Sequence, residues 1–154
     1  MPEIKTLNSL LGFDFGLQRI GVATGQTLTG TAQALKTLQS IQDKPDWAEI
    51  EKLISEWKPD ALVIGIPYHL DSSENKMTDA ARRFGRQLNG RFNLPVFEMD
   101  ERLSSQEAEH EIKRQRQAGQ RRKTSRGDID KMAAQIILQS WLQQQEHVNH
   151  DRTD

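Results

Sequence analysis

The chain has 154 residues and a mass of 17.6 kDa, of which 35% are hydrophobic and 28% charged, enough apolar material for one core of ordinary domain size. Cysteine is absent, which excludes disulfides, thiolate zinc sites, iron–sulfur clusters and thiol nucleophiles, and no apolar run approaches the roughly 18 residues of a transmembrane helix. The 21 basic and 22 acidic residues leave a formal charge of −1, so any nucleic-acid binding has to come from a local patch rather than the global field.

The opening MPEIKTLNSL has no basic region followed by an apolar stretch, so no secretory signal is expected and the cytoplasm is the expected location. Residues 1–8 and 143–154 are polar and aperiodic, and are expected to be loose termini of a single domain spanning 1–154. Residues 10–14 and 19–24 (RIGVAT) are short apolar runs separated by Phe15-Gly16-Leu17-Gln18, the pattern of a hairpin, and a third, weaker strand is expected over 31–38. Pro45 and Asp46 open a helical pattern in which Trp47, Ile50, Leu53, Ile54 and Trp57 recur at helical spacing, and Pro59 ends it. The run ALVIGI at 61–66, closed by Pro67, reads as a strand buried on both faces, hence central and parallel to its neighbour.

A second helix is expected over 77–88 with Ala80, Ala81, Phe84 and Leu88 inward, and Pro95 introduces a strand over 96–100. Ser104 with Glu107 forms a capping box that starts a third helix, and Gly119 lies in a basic connection. Asp128 is the expected N-cap of a last helix whose apolar stripe is Ile129, Met132, Ala133, Ile136, Ile137 and Trp141. The order β-β-β-α-β-α-β-α-α predicts an α/β sandwich with a mixed sheet joined by right-handed crossovers.

Three acidic positions stand at the edges of apolar elements. Asp14 ends a strand, where a carboxylate is either a turn residue ahead of Gly16 or a buried charge in need of a partner. Asp100 and Glu101 follow the strand led by Pro95, at the strand end where α/β sheets gather their sites, and Arg102 can pair with either of them. Asp128 and Asp130 open the last helix. Asp128 suits the cap, whereas Asp130 shares a row with Ala133, Ala134, Ile137 and Trp141 and needs a partner that no basic residue before it on that row provides.

The expected topology can bring these edges together. Two carboxylates about 4 Å apart repel by roughly 4 kcal/mol at an effective dielectric of about 20, so a third acid calls for a cation among them. Oxygen ligands of this kind suit Mg²⁺ or Mn²⁺, and metal-dependent phosphodiester hydrolysis is the chemistry such a cluster supports. Between Lys113 and Arg126 the run KRQRQAGQRRKTSR carries Lys113, Arg114, Arg116, Arg121, Arg122, Lys123 and Arg126 without an acid. It reads either as a solvated face or as a phosphate-backbone handle, and without interleaved aromatics it does not indicate base stacking. His69 in the loop after Pro67, and His147 and His150 near the end, lack a metal-ligand frame, and Trp47 and Trp57 fit helix packing.

Four segments in order, LLGFDFGLQRIGVATG, VIGIPYHLDSSE, FEMDERLSSQEAE and DIDKMAAQIILQSWL, together span roughly residues 10–142 and resemble the YqgF/RuvX family of pre-16S rRNA nucleases. The resemblance implies a ribonuclease H-like fold akin to RuvC Holliday junction resolvases, with a mixed five-stranded sheet flanked by helices. It further implies divalent-metal-dependent processing at the 5′ end of the small-subunit ribosomal RNA precursor in the bacterial cytoplasm. Carried over by motif, the acids that ligate metal and catalyse are Asp14, Glu101 and Asp130, with Asp100 and Asp128 as alternates, and Arg19 and Arg102 match basic positions that orient phosphate or support the acids.

The loop departs from the family pattern: where an asparagine and then Asp-Gly are usual, His69 and Asp71-Ser72 stand here, and Ser104-Ser105 replaces a Ser-Thr. The implied partner is structured RNA, with branched DNA as the resolvase alternative, no membrane, and a monomer or weak dimer. A noncatalytic RNA-binding assembly or transcription factor is the remaining alternative. The Asp14-Phe15-Gly16 string is also similar to the phosphate loops of actin-like sugar kinases, whose two-domain architecture does not fit 154 residues.

Overall fold

Period-2 alternation in the apolar runs and helical spacing between them are realised in the order β1 (Ser9–Phe15), β2 (Arg19–Gln26), β3 (Thr31–Gln39), α1 (Trp47–Trp57), β4 (Ala61–Ile66), α2 (Lys76–Phe92), β5 (Val96–Asp100) and α3 (Arg126–Asp151). The structure, a computed structural model, describes residues 7–67, 75–101 and 126–151, and within the last stretch the side chains of 129–145. The helix expected from Ser104, the loop carrying His69 and Ser72, Arg102 and the basic residues from Lys113 to Lys123 lie outside the described residues.

The strands form one mixed sheet in the order β3-β2-β1-β4-β5. β1 pairs antiparallel with β2 and parallel with β4, and β4 pairs parallel with β5. Every residue of β4 is buried, and it is an interior strand parallel to both neighbours, although β1 holds the middle of the sheet. In the β1–β2 hairpin the chain turns so tightly that a Cβ on Gly16 would lie 2.5 Å from the Arg19 carbonyl oxygen, which is why glycine stands there.

Alternation splits the apolar residues between two layers. Leu11, Phe13, Val22, Leu62 and Ile64 face α1 and α2, where Phe84 meets the rings of Phe13 (5.7 Å between centroids), Phe15 (5.0 Å) and Trp47 (5.6 Å). Leu10, Val63 and Met99 face α3 on the other side. Trp47 is thus a packing residue, as expected, whereas Trp57 at the end of α1 is 41% exposed and outside the stripe formed by Ile50 and Leu53.

α2 runs from Lys76 to Phe92, four residues past the expected end, and stops at Asn93 in the left-handed region. Asn75 and Thr78 make a reciprocal capping box at its start, and the Thr78 hydroxyl donates to the Pro67 carbonyl. Thr78 is accordingly buried, while Ala80, expected inward, is half-buried.

α3 differs more. It begins at Arg126, so Asp128 lies inside the first turn and is not the cap. Its buried row is Ala134, Ile137, Leu138, Trp141 and Leu142, whereas Ile129 is 55% exposed and Met132, Ala133 and Ile136 are half-buried. The cause is the floor beneath it: Cβ atoms on Gly12 and Gly25 would each come within 2.9 Å of the Leu138 side chain, so the helix sinks along the row that meets these glycines. Beyond Leu142 the helix continues to Asp151, where a loose end is expected from the sequence; Gln143 to Glu146 are good helix formers. At the other terminus Leu7 is buried, and the backbone N–H groups of Asn8 and Ser9 donate to the Asp60 carboxylate at 2.8 and 2.9 Å.

The edge strand β3 is tied to α3 by side chains. Gln139 accepts from the Ala32 N–H at 2.9 Å and donates to the Gly30 carbonyl at 2.7 Å, and Gln135 donates to the Ala32 carbonyl at 2.9 Å. These bonds occupy backbone groups that an open edge would leave free.

Candidate active site

Because β1, β4 and β5 are parallel, their carboxyl ends share one edge of the sheet, and the antiparallel β2 brings its first residue, Arg19, to the same edge. Asp14 is the penultimate residue of β1 and lies on the α3 face, alternating with the buried Phe13 and the half-buried Phe15 of the opposite layer. On β5, Met99 belongs to the α3 layer, so Glu101, two residues on, follows it to that face. Asp100 alternates to the other face with Glu98, whose carboxylate pairs with Arg82 of α2 at 3.6 Å. The structure therefore separates the two adjacent acids that sequence left open, and it joins Glu101 to Asp14.

Two interior glycines make room for this arrangement. Gly21 is the register partner of Asp14 on β2, and a Cβ there would lie 1.9 Å from the Asp130 carbonyl oxygen, so the first turns of α3 rest directly on the β2 backbone. A Cβ on Gly65 would lie 2.8 Å from Glu101 Oε1 and 2.5 Å from Ile137 Cδ1. Sequence reading passed over both, although a glycine inside a strand marks close approach of another group.

Asp14 and Glu101 share a hydrogen bond between their side chains. Burial, followed by the charge and hydrogen bond of Glu101 and the charge of Asp130, pushes the Asp14 carboxyl up to about 8. Burial also raises Glu101, against the lowering effect of the hydrogen bond it receives from Asp14, and the charge of Asp100 raises it further. Both shifts have one origin: two carboxyls withdrawn from water and hydrogen-bonded to each other share a proton.

Asp130 has a different partner. Its Oδ2 accepts from Arg19 Nε at 2.6 Å in a half-buried ion pair, with side-chain exposures of 27% for Arg19 and 23% for Asp130. The partner missing from Asp130's own helix is thus supplied from a strand 111 residues away. Among the described residues no three acidic or histidine side chains are gathered as a metal-ligand set, and the third acid is engaged by Arg19. Of the alternates, Asp100 takes the opposite face, and the side chain of Asp128, like that of Arg126, lies outside the described residues. Also among the described residues, no helix is long and apolar enough to cross a membrane.

Comparison with solved structures defines the fold. T. thermophilus RuvC in complex with a Holliday junction substrate matches with a TM-score of 0.60 at 13% identity over 91% of this chain and 96% of RuvC. The Fowlpox virus resolvase in complex with Holliday junction DNA matches with a TM-score of 0.52 at 13% identity over 89% of this chain and 98% of the resolvase. The architecture is the ribonuclease H-like α/β fold.

Sequence comparison places the chain more narrowly. Residues 8–144 match the RuvX family, described as Holliday junction resolvase. A Pseudomonas putida protein named "Putative pre-16S rRNA nuclease" is 50% identical over 137 residues, covering 89% of this chain and 96% of the relative. Proteins of the same name from Pseudomonas paraeruginosa and Nitrosococcus oceani are each 48% identical over 149 residues, covering 97% of this chain and 100% and 95% of their own lengths. The chain belongs to the RuvX family, a family of nucleases.

Proposed function

We propose that this chain is a single ribonuclease H-like domain that hydrolyses phosphodiesters of structured RNA with the help of a divalent metal, trimming the 5′ end of the small-subunit ribosomal RNA precursor in the cytoplasm. The observation that carries the reading is the half-buried, hydrogen-bonded pair of Asp14 and Glu101 at the carboxyl ends of two strands, with Asp130 close enough for its charge to act on Asp14. The names of the relatives support the RNA substrate.

The donor set fits Mg²⁺ or Mn²⁺: it offers carboxylate oxygens and no nitrogen or sulfur, and it gathers acidic groups that are partly withdrawn from water. Asp14 and Glu101 would hold the ion, with Asp130 as the third acid. Such an ion, when bound, neutralises the acids, activates water and stabilises the leaving oxygen. The chain's own part is positioning. Gly65 lets Glu101 lie flat on the sheet, Gly21 seats Asp130, and the proton on Asp14 has to leave for both strand-end acids to act as ligands. Arg102 and the basic residues Lys113, Arg114, Arg116, Arg121, Arg122, Lys123 and Arg126 supply the positive charge that draws an RNA backbone toward an acidic site.

The test is cleavage of a 5′-extended small-subunit precursor fragment by the purified chain in Mg²⁺ or Mn²⁺. Asp14→Asn, with a normal melting curve, is expected to lower the rate by about 100-fold or more, on the scale of losing an essential catalytic group. Undiminished cleavage by that variant refutes the assignment. The family's own description favours a second reading, resolution of branched DNA. A four-way-junction assay with sedimentation distinguishes the two, since paired cuts require a dimer and the proposed RNA processing is consistent with a monomer or weak dimer.

A further inference from the structure

We propose that Arg19 is a latch on the third acid: in the ion-free protein its guanidinium is the counter-charge of Asp130, and an ion held by Asp14 and Glu101 must take Asp130 from it. The inference rests on the reading of these acids as an ion site. Its basis is geometric. Arg19 Nε lies 2.6 Å from Asp130 Oδ2, and both side chains are about three-quarters withdrawn from solvent, so the contact is a charge-assisted bond and not a loose surface pair.

Neither end can drift away with its backbone. Arg19 is in register opposite Gln39 at the start of β2, and the Asp130 carbonyl rests on Gly21, two residues further along the same strand. Exchange between the guanidinium and an ion therefore occurs by side-chain rotation of Asp130 or Arg19 on a fixed frame. Asp130 is within electrostatic reach of Asp14, yet the three acids are not gathered as ligands. Arg19 is thus a positioning residue that competes with the ion, and the affinity of the site is set partly by the strength of one ion pair.

Mn²⁺ binding, measured calorimetrically or by electron paramagnetic resonance without substrate, separates this from a purely structural role. Arg19→Gln is expected to tighten Mn²⁺ binding about five- to tenfold, the scale of a partly buried charge-assisted bond. In an Asp130→Asn background the same change is expected to move affinity by less than about twofold, because the partner of the latch is gone. Unchanged or weaker binding by Arg19→Gln overturns the proposal. So does equal tightening in the Asp130→Asn background, which would reflect removal of positive charge alone. Arg19→Lys keeps the charge but loses the planar fork, and serves if the glutamine variant does not fold: a smaller tightening is expected, and none at all overturns the latch. If the wild-type and Arg19 variants bind no Mn²⁺ that Asp14→Asn removes, the reading of the acids as an ion site fails as well. Wild-type binding with no Arg19 effect sinks the latch only.

Discussion

Asp14 and Glu101 cost the fold something when both are ionised, and that cost is measurable. Asp14 binds its proton more tightly in the folded chain than in the unfolded one, with its carboxyl moved from an ordinary 3.8 to about 8. A raised carboxyl contributes stability that is complete below the unfolded value and is lost as pH climbs through the folded one. In chelator, the urea midpoint is therefore expected to fall between pH 5 and pH 8.5, and Asp14→Asn, which cannot ionise, is expected to flatten that slope. A wild-type midpoint that rises over the same interval contradicts the shared proton. Asp14 was conspicuous in sequence because a carboxylate closes an apolar run. The choice between Asp100 and Glu101 was not legible until Met99 had a face, since adjacent strand residues differ only in which side of the sheet they take. The family resemblance singled out Arg19 as a residue that orients phosphate or supports the acids, but which acid it meets was not legible, because pairing across 111 residues is a product of topology, not of any local row.

At the scale of elements, α3 is placed by what the sheet lacks. Gly21→Ala would put a methyl 1.9 Å from the Asp130 carbonyl oxygen, and neither backbone can move aside without lifting the helix. A loss of about 3 kcal/mol or more in urea unfolding is expected. Gly90→Ala is the opposite case: the position is helical, exposed and has nothing within 4 Å of the new Cβ, so a gain of about 0.5–1 kcal/mol is expected from helix propensity alone. Destabilisation by the second change would show that α2 is not a regular helix there. Strand and helix order was readable because apolar periodicity is written locally. The rotation of α3 was not. Ile129 and Met132 satisfy the same helical period as Ala134 and Leu138, and the glycines on β1, β2 and β4 decide which row sinks.

For the whole molecule, a net charge of −1 means that RNA affinity must be local and strongly dependent on salt. Arg121→Glu with Arg122→Glu is expected to weaken binding of a precursor fragment and to flatten the slope of log affinity against log salt by at least about 1. The Asp14–Glu101 pair and the melting temperature should be unaffected. An unchanged slope would remove the 113–126 segment from the substrate footprint.

The two-layer build also hands the experimenter an unplanned pair of reporters. Trp47 is stacked among aromatic rings on one side of the sheet and Trp141 lies against Phe97 on the other, 5.3 Å between centroids. With Trp57 changed to phenylalanine and then each of these two indoles in turn, fluorescence can record separately when the helix bearing Asp130 detaches and when the opposite flank melts.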